Sequence, residues 1–167
     1  MILGRRSSRL PRTIRALLPG SPYATAELAD GRWAVVTGAE LLVASEEGVT
    51  QRHPWHTVER GRWDGETRTV TVTWVDGSRS PLELRTASDE VASFAAALRE
   101  RVQASVVHSD AAETATGAQI KVYIRRDETG ALLSQVTVTG TLRGDGEETR
   151  VVDEVERRAR AAVGLPT

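Results

Sequence analysis

The chain has 167 residues, of which 27% are charged, and its formal net charge is −1. That length suits one domain, or one domain with a small companion. Cysteine is absent, which excludes disulfides, thiolate zinc sites and cysteine nucleophiles and fits a reducing compartment. The basic residues are 21 arginines scattered along the chain and one lysine, a composition typical of a GC-rich bacterial genome.

Residues 1–20 form a predicted basic arm, with five arginines and no acid, whereas the rest of the chain is acidic. Apolar residues recur in it at helical spacing, so we expect a short amphipathic helix that ends before Pro19. The apolar positions are Leu10, Ile14, Leu17 and Leu18. The candidate contacts of this arm with a partner or an anionic membrane are Arg5, Arg6, Arg9, Arg12 and Arg15.

Residues 21–108 are predicted to be a β-module of seven strands closed by one helix. Residues 68–75 show the clearest strand pattern, because valines and Trp74 alternate with threonines. Asp30-Gly31 predicts a hairpin turn, and Ser88 is the expected N-cap of a helix over 88–107. The seven predicted strands cover 23–28, 33–37, 41–44, 49–53, 58–63, 68–75 and 82–84.

The remaining residues divide into a predicted linker and a small ββα unit. Residues 109–118 are small and polar, which is typical of a linker. Residues 119–164 show alternating strands around a turn at 127–130, and then an apolar helical pattern that ends at Gly164. Because a lone two-stranded hairpin is marginally stable in water, we expect this ββα unit to pack on the module or on a partner.

The stretch GRWAVVTGAELLVASEEGVTQRHPWHTVERGRWDGETRTVTVTWVDGSRSPLELRTASDEVASFAAALRERV carries a resemblance. Its strand at 33–37, its corner at 54–58 and its strand at 82–84 that leads into a helix resemble the bacterial pleckstrin-homology-like (PH-like) fold. The resemblance covers residues 23–107, about half of the chain. It implies an α+β fold with a seven-stranded antiparallel barrel or sandwich and a capping helix at its carboxyl end.

This chain departs from the lipid-binding members of that family in its first hairpin loop. Those members cluster basic residues there to hold inositol phosphates, whereas residues 28–32 contain only Arg32 and the acid Asp30. Phosphoinositide binding is therefore disfavoured, and a fold by itself implies no function.

Four tryptophans and a pair of histidines are the other candidate site residues. Trp33 and Trp74 share their phase with apolar neighbours, so we expect them in the core, while Trp55 and Trp63 are candidates for exposed partner contacts. His53 and His56 have ligand-like spacing, but zinc needs three or four protein ligands and no third one is evident. We therefore expect neither metal nor cofactor.

No catalytic constellation is apparent in the sequence, and nucleic-acid binding is disfavoured. Arginines and acids are interleaved between residues 59 and 79, which favours ion pairs on a solvated face. Neither the acid pairs nor the serines have the context of a catalytic site. We expect a cytoplasmic, non-enzymatic interaction module that binds a protein partner or itself. The alternative is peripheral attachment of the basic arm to an anionic membrane.

Overall fold

The computed structural model describes residues 9–167 and shows an α+β chain with three antiparallel sheets, ten strands and three α-helices. None of the helices in this range is long and apolar enough to cross a membrane. The helices are α1 (Arg12–Ala16), α2 (Ala92–Ser105) and α3 (Gly146–Ala162). The strands are β1 (Ala24–Glu27), β2 (Trp33–Val36), β3 (Glu40–Ser45), β4 (Gly48–Pro54), β5 (Val58–Asp64), β6 (Thr69–Trp74), β7 (Leu82–Arg85), β8 (Val106–Glu113), β9 (Gln119–Arg126) and β10 (Leu132–Thr139).

The chain divides into two compact units. The first ends at Val102, and the second comprises residues 103–167. The first unit contains the seven strands that precede α2, and the second contains the last three strands and α3.

The first unit has two sheets and no closed barrel within its described residues. One sheet has the order β1-β2-β3-β4 and the other the order β5-β6-β7. The positions of the seven predicted strands agree with the structure, but the barrel was wrong as a description of how they pair. Just beyond β1 and β7, an isolated antiparallel bridge between Leu28 and Thr86 joins the two sheets.

The core of the first unit fills the space between the two sheets and α2. Trp74 is 5% exposed and packs with Val70 and Val72 from the same face of β6, as the alternation predicted. Phe94 and Leu98 from α2 lie in the same cluster. Burial of such apolar area, at about 25 cal/mol per Å², is the main favourable contribution to folding.

The described part of the basic arm docks on the outer face of the four-stranded sheet. Ile14 is 1% exposed and packs with Trp33 and Leu42, while Leu10 lies half-buried beside them. Strand β2 is therefore buried on both faces, which explains its continuous apolar run. Leu17, predicted on the same helical face, is instead 41% exposed because α1 has only five residues.

The helix that closes the first unit begins later than expected. Ser88 was predicted to be the N-cap, but α2 starts at Ala92, and the Ser88 hydroxyl accepts a hydrogen bond from Glu90 N in the bend before it. The predicted end at residue 107 was also too late. The helix ends at Ser105 because Val106 already belongs to β8.

The predicted linker over 109–118 is wrong. Residues 106–113 form β8, which pairs antiparallel with β9, so the second unit is βββα and not ββα. Exposure alternates along β8, and Ala112 packs against the buried cluster of β9 and α3. Its small polar side chains concealed the strand, because hairpin pairing with β9 outweighs their low strand propensity.

Helix α3 covers one face of this three-stranded sheet. Val155 and Ala159 pack on Val122 and Ile124 of β9. The Asp145 side chain caps the helix by accepting hydrogen bonds from the backbone N–H groups of Glu147 and Glu148. At its other end Gly164, with φ of 74°, adopts the left-handed conformation that commonly ends a helix.

Candidate functional site

A groove of about 400 Å³ lies between strand β1 and the beginning of α2. We call it the β1–α2 groove. Its walls are residues 23–27 on one side and, on the other, the residues around the start of α2, which are Ser88, Glu90, Val91 and Ser93. Because most of these side chains are small, the backbone of β1 forms much of one wall.

Strand β1 is an edge of its sheet. Its two ends differ in whether their outward-facing backbone groups are hydrogen-bonded. Near its carboxyl end, Glu27 O accepts a hydrogen bond from Ala87 N at 2.9 Å, and Ala29 N donates to Arg85 O at 2.9 Å. Backbone groups alternate in direction along a strand, so the N–H and C=O of Thr25 also point outwards. Within residues 9–167 no hydrogen bond is made to Thr25 on that side.

The open part of the edge arises because the chain turns away. Residues 85–87 run beside the end of β1 as a short strand, and the chain then bends through Ser88 towards α2. The β1–α2 groove therefore lies where residues 85–87 would run if they continued along the edge of β1. A segment in an extended conformation fits such a space, since unpaired strand edges accept a further strand.

Tyr23 stands at one end of the groove and is 61% exposed, the largest exposure among the large hydrophobic side chains of the described residues. The guanidinium of Arg101 lies over its ring, with Cζ 4.5 Å from the ring centroid. This cation–π contact holds the ring without burying it. Glu27 and Glu90 line the same groove and give its rim a negative character.

A second depression, of about 850 Å³, lies on the same unit and carries charges of both signs. Arg68 and Arg85 line it together with Glu66 and Glu83. Arg68 is also ion-paired with Asp89, with Nε to Oδ1 at 2.9 Å. Such a mixed lining offers no concentrated field for an anion.

The first hairpin loop is likewise neutral. Arg32 donates from Nε and Nη2 to Asp30 Oδ2, at 2.9 and 2.7 Å. These hydrogen bonds hold the pKa of Asp30 below its ordinary value. The loop arginine is therefore engaged by its own neighbour and not presented to a phosphate.

Of the two tryptophans expected at the surface, Trp55 is buried and Trp63 is partly buried. Trp55 is 4% exposed, and its Nε1 donates to Thr37 O at 3.0 Å, so the prediction of an exposed ring was wrong. The reason is that the corner folds inwards as a 3-10 turn over Trp55–Thr57 and delivers the indole to the core. Trp63 is partly buried against the same core.

Two of the five arginines of the basic arm, Arg5 and Arg6, lie outside the described residues. Arg9, Arg12 and Arg15 are exposed, and they flank the buried Ile14.

The two histidines of the corner do not form part of a metal site in the described range. No group of three or more histidine, cysteine, aspartate or glutamate side chains is placed there to hold an ion. His53 packs its ring 4.6 Å from that of Trp74, and its Nε2 lies 3.1 Å from Gln51 Oε1. Burial, and then the charge of Arg79, lower the pKa of His53 below its ordinary value.

Comparison with known proteins gave no relatives: no protein-family model matches the chain, and no curated protein and no solved structure matches it.

Sequence reasoning missed the β1–α2 groove and the role of Tyr23. The sequence pattern of residues 23–28 predicts a strand and nothing more. The signal that indicates the groove is the run of small residues after Tyr23, because Tyr23 then has no large neighbour on its strand. The opposite wall comes from residues more than sixty positions away, so the sequence pattern alone does not reveal the groove.

Proposed function

We propose that this chain is a non-catalytic protein-interaction module and that the β1–α2 groove binds an extended peptide segment of a protein partner. The observation that carries the proposal is the open outer edge of β1 at Thr25, beside a groove that continues the track of residues 85–87. Addition of a strand to a sheet edge is a common way to bind a peptide, because main-chain hydrogen bonds supply affinity and neighbouring pockets supply specificity.

The lining of the groove indicates the chemistry of the segment. Ala24, Ser88 and Ser93 leave room for a backbone and small side chains, and Glu27 and Glu90 favour a lysine or arginine in the segment. The exposed ring of Tyr23 adds a flat apolar contact at the end of the groove. Tyrosine is well suited to this role, because its ring offers a large area at low entropic cost.

The proposal extends to the family: the first unit is a PH-like module. Its support is the order of a four-stranded sheet, a three-stranded sheet and then a helix. Within that fold, the ion pair of Asp30 with Arg32 argues against inositol phosphates as ligands. A cytoplasmic location is part of the same proposal and rests on the cysteine-free sequence.

Attachment of the basic arm to a membrane is the weaker candidate. A membrane-surface helix must bury an apolar face in the lipid. Here Ile14 and, in part, Leu10 and Leu18 are already used against the sheet, which leaves Leu17 and exposed arginines. We expect no binding to vesicles with anionic lipid at physiological salt, where exposed charges are screened beyond about 8 Å.

A selection from a random peptide library displayed on phage, followed by affinity measurement on synthetic peptides, tests the proposal. Ser93→Trp places a large side chain on the α2 wall of the groove. Ala96→Trp is the matched control, because Ala96 is exposed on the same helix and does not line the groove.

We expect peptides enriched in basic and small residues. Their affinity should fall at least about tenfold in Ser93→Trp and stay unchanged in Ala96→Trp, since the loss of even one or two backbone hydrogen bonds costs about that much. Failure to enrich any peptide, or an equal loss in both variants, would show that the groove is not a peptide site.

A further inference from the structure

Strand β10 leaves one side of its backbone without partners. The turn before it is closed by a hydrogen bond from Asp127 N to Ala131 O at 2.9 Å, so the backbone groups of Ala131 and of every second residue after it face β9. The intervening residues face away from the sheet. These are Leu132, Ser134, Val136 and Val138, and within residues 9–167 their outward N–H and C=O groups make no backbone hydrogen bond.

Apart from β1, whose open stretch lines the β1–α2 groove, the other sheet edges of the described chain carry features that discourage pairing. Natural proteins protect edges with charges, proline, bulges or short strands. By contrast, β10 is eight residues long and has no charge, no proline and no register shift along its pairing with β9. The protecting features elsewhere are Arg52 and Pro54 on β4 with a bulge at Val43/Ala44, Glu59 and Arg60 on β5, Glu83 and Arg85 on β7, and Asp110 and Glu113 on β8 with a bulge at Val106/His108.

We propose that β10 pairs antiparallel with β10 of a second copy of this chain, which joins two three-stranded sheets into one of six strands. The register that uses all four outward residues places Ser134 opposite Val136 and Leu132 opposite Val138. Each such pair exchanges two hydrogen bonds, which gives about eight across the interface. Leu132 of one copy then covers Val138 of the other, whose side chain is 39% exposed in the single chain.

Charge and symmetry favour a second copy over an unrelated strand. An antiparallel pair of identical strands is self-complementary about a two-fold axis, and the uncharged β10 places no like charges opposite each other.

This inference concerns the second unit and does not depend on the peptide groove of the first. A strand edge alone buries less area than a standard interface, so we expect a dimer with a dissociation constant in the micromolar range. Sedimentation velocity of the full chain over a concentration series measures it directly.

Two variants change the outer side of β10, and a third serves as a control. Ser134→Pro removes an outward N–H that the bonding to β9 does not use. Val138→Lys adds a charge at an exposed edge position, where lysine blocks edge pairing. The matched control is Ser109→Pro, which makes the same change at an outward position of β8, the opposite edge of the same sheet.

We expect the full chain and Ser109→Pro to dimerise alike, and Ser134→Pro and Val138→Lys to weaken dimerisation at least about tenfold. Circular dichroism checks that each variant is folded, and Val138→Lys decides the matter if Ser134→Pro fails to fold. The inference is overturned if the full chain stays monomeric at several hundred micromolar. It is equally overturned if folded Val138→Lys dimerises as well as the unchanged chain, or if Ser109→Pro loses the dimer to the same degree.

Discussion

A Cβ atom added to Gly61 would lie 2.3 Å from Cδ2 of Leu98. Strand β5 and helix α2 meet at this point, and Leu98 is 1% exposed in the core. Only glycine permits so close an approach of the strand backbone to a buried leucine. The residue therefore has a packing role, although it stands in an otherwise charged strand.

Gly61→Ala should destabilise the first unit, because the buried Leu98 has little room to move. We expect a loss of about 1–3 kcal/mol in the free energy of unfolding, measured by urea denaturation. Gly77→Ala is the control, since nothing lies within 4 Å of its added Cβ. If Leu98→Ala does not reduce the cost of Gly61→Ala in the double variant, the clash is not the cause.

The docking of the basic arm can be tested by two apolar residues, Ile14 on α1 and Leu17 just after it. Ile14→Ala removes a side chain that is 1% exposed, so we expect a loss of at least about 2 kcal/mol. Leu17→Ala removes one that is 41% exposed and should change stability by less than about 0.5 kcal/mol. Thermal and urea unfolding of both variants provide the measurement, and equal effects would mean that the arm does not depend on Ile14.

The carboxylate of Glu148 links the start of α3 to two loops of the second unit. It is 4% exposed and accepts hydrogen bonds from Thr116 Oγ1 at 2.7 Å and from the backbone N–H groups of Arg143 and Gly144. Loss of this acceptor leaves buried donors unsatisfied, which is costly.

Glu148→Ala should therefore lower the free energy of unfolding by about 2–3 kcal/mol. Its neighbour Glu147 is exposed in the same helical turn, so Glu147→Ala should cost less than about 1 kcal/mol, the usual size of a charge effect at a helix terminus. Chemical denaturation compares the two variants. A larger cost for Glu147→Ala would contradict the role assigned to Glu148.

The pKa of His53 makes stability depend on pH in a definite direction. Burial and the nearby Arg79 hold it below the ordinary value of 6.5, so the unfolded chain binds a proton more readily than the folded one. The folding stability that comes from this pKa shift of His53 is fully present above pH 6.5. It is lost as the pH falls from 6.5 to the lower pKa of the folded state.

His53→Gln should flatten the pH dependence of the unfolding midpoint between pH 8 and pH 5. Arg79→Gln should flatten it in part, because it removes only the smaller of the two causes. Midpoints at constant ionic strength give the slopes. An unchanged slope in His53→Gln would assign the dependence to other groups.

Much of the fold could be predicted from local periodicity in the sequence. The alternation in β6 predicted both the strand and the burial of Trp74, and Asp30-Gly31 predicted the turn between β1 and β2. The helical spacing in the arm likewise predicted the apolar face to which Ile14 belongs, but not that this face packs on the sheet. These predictions succeed because the side-chain period, two in a strand and 3.6 in a helix, indicates which residues share a face, whatever that face packs against.

Other features depend on partners that are distant in the sequence. Trp55 turns inwards because Thr37 O, 18 positions away, accepts its indole N–H, and Glu148 is buried because Thr116 reaches it across 32 positions. The open edges of β1 and β10 likewise depend on how the strands are arranged in their sheets. Composition and periodicity determined most of the strands and helices, with β8 as the exception, whereas only the tertiary structure decided which neighbours they met, because pairing and burial are set by non-local contacts.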